Sequence, residues 1–121
     1  MKCVEARHPE ECNIWGKLAI TGHYYYHDKS RFPIGFENLV NVDYRKHGDV
    51  DYFDSEDQVI EYFSDKIINK SVGISATVSS CTKGKPYRRS RRPYQPGYID
   101  MLKVTFFLNE TELAHIVLSR S

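Results

Sequence analysis

Apolar and polar residues alternate with period two along much of this chain, and a single helical stripe breaks the pattern. From Ile14 to Tyr26, Leu18 and Ile20 fall on one side and Lys17, Thr21 and His23 on the other. A period of two in aromatic and β-branched residues is the mark of a strand. Gly16 and Gly22 inside this run predict a bulge or a close backbone approach. Phe36 to Arg45 alternates more weakly through Val40, Val42 and Tyr44, and His47-Gly48-Asp49 reads as a turn. Val72 to Cys81 alternates again. Tyr98 to Leu108 is the strongest strand, with Leu102, Val104, Phe106 and Leu108 on one face. Glu112 to Ser119 fits both periods: Leu113, Ile116 and Val117 have helical spacing, and Ala114, Ile116 and Leu118 have strand spacing. The Asn109-Glu110-Thr111 turn before it favours a hairpin strand.

The exception is about 56–69. Ile60, Phe63 and Ile67 share one stripe, flanked by Val59 and Ile68. Ser55 and Gln58 have the spacing of a capping box, and Glu56 and Asp57 oppose the helix dipole favourably. One helix among several alternating segments predicts an α+β fold. An antiparallel sheet of four or five strands packs on that helix, and a long basic loop joins two of the strands. The 121 residues make one domain, 1–121, with a loose leader at 1–11 and a basic Arg/Tyr/Pro-rich excursion at 82–97.

Charge is balanced overall and divided along the chain. Seventeen Lys and Arg stand against sixteen Asp and Glu, a formal net charge of +1. That excludes both a polyanionic mimic of nucleic acid and a histone-like polycation. Between Glu37 and Asp65 nine acids face only Arg45 and Lys46; from Lys66 to Lys103 nine bases face Asp100 alone. The excursion holds six of those bases, Lys83, Lys85, Arg88, Arg89, Arg91 and Arg92, with Tyr87 and Tyr94 between prolines. Guanidinium forks suit phosphate or carboxylate, and tyrosine rings stack on bases or anchor in a protein pocket, so these eight residues are the expected binding element. The second expected element is an acidic face of Asp49, Asp51, Asp54, Glu56, Asp57 and Glu61, suited to a basic groove.

Other chemistry is weaker. The carboxylates from Asp49 onward miss the EF-hand pattern, with Asp54 where glycine belongs and Ile60 where glutamate belongs. Cys3, His8 and Cys12 lack the paired short spacings of a zinc site. No metal and no cofactor are expected. His23, His27 and His115, with Lys17 and the tyrosines, are the residues from which a metal-free nuclease or hydrolase would be built. The nucleotide and hydrolase fingerprints are absent, and the expectation is a non-enzyme. Tyr24-Tyr25-Tyr26 places rings on both faces of a strand, with Trp15 and Tyr25 as an exposed patch or as packing. Three cysteines, an odd count, with no secretory signal in the first residues fit reduced thiols in a cytoplasm. No run of apolar residues is long enough for a transmembrane span, and no membrane partner is expected.

These features describe a small cytoplasmic binding protein. The expected role is stoichiometric inhibitor or regulator of a nucleic-acid-processing partner, acting through the basic arm and the acidic face. Phage-encoded antagonists of host defence, working in the host cytoplasm, and bacterial immunity proteins are of this type, an analogy of profile alone. The alternatives are a nucleic-acid-binding module using the 83–94 arm, and the small metal-free hydrolase.

Overall fold

The computed structural model describes residues 6–12, 14–26, 35–43, 46–83 and 100–121. The protein is α+β. One helix, α1 (Glu56–Ser64), packs on an antiparallel sheet of five long strands and one two-residue strand. The strands are β1 (Ala6–Arg7), β2 (Gly16–Tyr25), β3 (Gly48–Phe53), β4 (Ile74–Lys83), β5 (Asp100–Leu108) and β6 (Thr111–Arg120). Their spatial order is β1-β4-β5-β6-β2-β3. Among the described residues, no helix is long and apolar enough to cross a membrane.

The sheet centre follows from its residues. β5 is apolar on its inner face, and Leu102, Val104 and Phe106 are fully buried. They sit opposite Leu118, Ile116 and Ala114 of β6. The ambiguous 112–119 segment is therefore a hairpin strand. Asn109 turns the hairpin at φ 56°, a left-handed conformation that asparagine tolerates. Above this face Phe63 of α1 is buried edge-on to Phe106, with ring centroids 6.0 Å apart, and Phe36 meets Phe106 at 5.3 Å. Val59 is buried beside them.

The alternation misled in four places. The weak strand expected over 36–45 is a 3-10 turn, Phe36–Asn38, followed by a single bridge from Val40 to Ile67. Phe36, Leu39 and Val40 are buried, so their spacing served the core without a ladder. The turn expected at 47–49 is instead the start of β3, an edge strand beside β2. In β2 a register shift between Ile20 and Gly22 moves every later residue to the opposite face. Tyr25 thus packs against the core while Tyr24 and Tyr26 are exposed; Trp15, which precedes the shift, also packs there, so of the two readings of Trp15 and Tyr25 packing holds. Finally, α1 ends at Ser64, and Ile67 reaches the core from beyond the helix.

The capping box also differs. Ser55 has the extended backbone of an N-cap, but its side chain makes no capping bond. Gln58 reaches one residue further back, and its Oε1 accepts from the Asp54 N–H at 2.8 Å.

The cysteine expectation is corrected. Cys12 and Cys81 are joined in a disulfide whose Cα atoms lie 5.9 Å apart, both buried. Beside it Ala6 and Arg7 pair with Thr82 and Cys81, and Arg7 Nη2 binds Asp100 Oδ2 at 2.5 Å. The bridge, β1 and this ion pair fasten residues 6–12 to β4 and β5.

Candidate functional site

The basic excursion is rooted by the β4–β5 ladder. Lys83 ends β4 as the register partner of Asp100, the first residue of β5, so the excursion leaves and re-enters the sheet at adjacent positions. Lys85, Tyr87, Arg88, Arg89, Arg91, Arg92 and Tyr94 lie outside the described residues, as does the Lys83 side chain.

The acidic set divides in two. Asp49 is neutralised: Lys17 Nζ lies 3.0 Å from its Oδ2, and Ser121 Oγ donates to its Oδ1 at 2.5 Å. The Ser121 hydrogen bond, and then Lys17, hold its carboxyl below the usual aspartate range. The other five, Asp51, Asp54, Glu56, Asp57 and Glu61, follow one another along β3, the corner after it and α1. Among the described residues none has a basic group within ion-pair distance. Asp51 accepts from the Tyr52 N–H at 2.8 Å, and Tyr52 itself is 64% exposed. These carboxylates form a ridge that runs from the edge strand β3 into the first turns of the helix, while Tyr52, opposite Lys17 in register, stands on the sheet face away from the buried Leu18 and Phe53.

Local physics explains part of the ridge. Glu56 and Asp57 favour the helix start. Charges on β3 discourage edge-to-edge pairing. Neither accounts for Glu61, which is one helical turn after Asp57 and repels it, nor for an exposed tyrosine between carboxylates.

Among the described residues, His23 and His115 do not come together. Tyr24 pairs with His115 across β2 and β6, and the rings stack at 5.3 Å. Glu112 Oε2 meets His115 Nδ1 at 3.0 Å. This group lies on the sheet face away from α1. His23 is the register partner of Ile116, on the α1 side, where its ring meets His47 at 6.3 Å. His23 and His115 are thus on opposite faces of the sheet, Lys17 is engaged with Asp49, and His27 lies outside the described residues. Among the described residues the ligand atoms of Cys12, Cys81 and Asp100 come within 4.8 Å of one another. The two sulfurs are bonded to each other and Asp100 holds Arg7, so no open thiolate set faces a metal.

The β2 register shift creates the Tyr24–His115–Glu112 group; Gly22 signalled the bulge, but nothing in the sequence signalled that it brings Tyr24 to His115. Tyr52 and Phe53 stand side by side in the acidic run, and sequence alone does not separate the exposed ring from the buried one. No family model, curated protein or solved structure is significantly similar to this chain.

Proposed function

We propose that this chain is a small binding protein, a stoichiometric inhibitor or regulator that docks its acidic ridge on the basic groove of a nucleic-acid-processing protein. The observation that carries the reading is the ridge from Asp51 to Glu61: five carboxylates without basic partners among the described residues, with the exposed Tyr52 on the neighbouring face of the same edge strand. Carboxylates in a row steer a basic partner into encounter and compete with a polyanion for its groove. An exposed tyrosine supplies the desolvated anchor that charge alone lacks. The arm at 83–94 is the second contact, its arginines suited to phosphates or carboxylates near that groove. The partner works where nucleic acid is handled, which places the protein in a cytoplasm, that of the host if a phage encodes it. The disulfide weighs against a reducing compartment, while its burial restricts attack by reducing thiols.

The test compares the wild type with a variant in which Asp54, Glu56 and Asp57 are changed to Lys, both as bait in a native lysate with and without nuclease. The expected result is a basic nucleic-acid-handling protein captured by the wild type, resistant to nuclease and lost in the variant, whose circular dichroism is unchanged. Equal capture by both chains would remove the ridge from function. Capture abolished by nuclease would instead favour direct nucleic-acid binding through the arm.

A further inference from the structure

A cavity of about 330 Å³ opens between α1, the β2–β3 edge and the chain that leads into β3. Its size falls at the lower end for small-molecule sites. Its apolar lining comes from Ile20, Val42, Val50, Tyr62 and Phe63. The wall is fixed by the backbone: the Asn41 N–H donates to the Lys66 carbonyl at 2.7 Å, and the Ile68 N–H to the Leu39 carbonyl at 2.9 Å.

Charge at the mouth is not balanced. Asp49 lines the cavity but is taken up by Lys17 and Ser121. Asp43 is exposed and 3.8 Å from Lys46, a loose pair of little energetic weight. Lys66, half-buried, has no carboxylate within 4 Å among the described residues; its Nζ lies 4.8 Å from the centroid of the Tyr62 ring. His47 adds a further donor on the same rim. An ammonium over an aromatic face, above an apolar lining, matches a ligand with a flat body and a compact anionic end. Lysine acts as a point charge toward phosphate.

We infer that this cavity binds a phosphorylated ring compound of mononucleotide size, with Lys66 and His47 at the phosphate and the ring against Tyr62 and Val50. The site is separate from the acidic ridge, and its occupancy does not depend on a protein partner.

The probe is AMP, titrated into the full chain and followed by amide chemical shifts, with adenosine and inorganic phosphate as arms that carry only the ring or only the charge. AMP is expected to give saturable shifts at Asn41, Val50 and Lys66 with a Kd of ~1 mM or tighter. Each half-ligand should bind about tenfold more weakly, since it forfeits one of the two contributions. Lys66→Gln should weaken AMP about tenfold while Lys66→Arg retains most binding, because the charge, and not the side-chain volume, is at work. A dispersed spectrum for both variants establishes that they fold. The inference is overturned if AMP gives no saturating shifts at these amides, if phosphate alone binds as well as AMP, or if Lys66→Gln binds AMP like the wild type.

Discussion

Replacing Cys12 and Cys81 with Ala probes the feature that most separates the structure from the expectation of free thiols. The bridge spans a sequence separation of 69 residues. In the chain-entropy picture, closing a loop of that length removes about 4 kcal/mol of unfolded-state freedom at room temperature. Native stability is itself roughly 5–15 kcal/mol, so the loss is a large share of it. In urea, at an m-value of about 1.5 kcal/mol per molar, the midpoint should fall by about 2–3 M. The melting temperature should fall by about 15 °C, taking the usual unfolding entropy per residue. Reduced wild type and the double variant should unfold at similar denaturant concentrations, because both lose the same constraint. A second readout is chemical. The chain has three cysteines, so the denatured but unreduced protein should offer one thiol to an alkylating reagent and the reduced protein three. Three reactive thiols before reduction, or a double variant as stable as the wild type, would refute the bridge and the stabilisation argued from it.

Two further outcomes follow from local geometry. Gln58→Ala should cost about 1 kcal/mol in urea titration, because the Asp54 N–H loses its acceptor, whereas Ser55→Ala should cost under about 0.5 kcal/mol, since its side chain makes no capping bond. Asp49 has a lowered pKa, so its contribution to stability is fully present above the unfolded aspartate value and is lost as pH falls through the folded one. Asp49→Asn should therefore flatten the acid limb of a stability–pH profile, and Lys17→Gln should reduce its slope; an unchanged limb in both would remove this cluster from the acid response.

The elements legible in the sequence were those whose own residues settle them. β5 announces itself by apolar residues on both faces, and α1 by the stripe through Val59 and Phe63. The hairpin into β6 follows from a turn at Asn109. β3 hid because an edge strand beside solvent needs few apolar residues, and Asp49 and Asp51 made it resemble a turn. The strand expected over 36–45 rested on Val40, Val42 and Tyr44 alternating with Asn41 and Asp43, whereas the residues the core takes there, Phe36, Leu39 and Val40, follow no period of two. The tyrosine faces depend on one extra residue in β2, and the disulfide on two segments brought together only by the sheet. As for the candidate site, the carboxylates of the ridge were evident from charge alone. Their separation from Asp49 was not, because Lys17 reaches Asp49 only across the β2–β3 pair and Ser121 only once β6 lies beside β2.

The place of β6 between β5 and β2 sets a timetable for the newborn chain. β2 emerges early from the ribosome, yet its partner on the inner side is a strand made much later: Arg120 Nη2 reaches the Trp15 carbonyl across 105 positions. Without β6, β2 and β3 would be left as a two-stranded ribbon, and such ribbons are marginal in water. Pairings this distant also place the domain among slower folders. The sheet edge that carries β3 thus takes its final form only once the residues up to Arg120 are available to pair with β2.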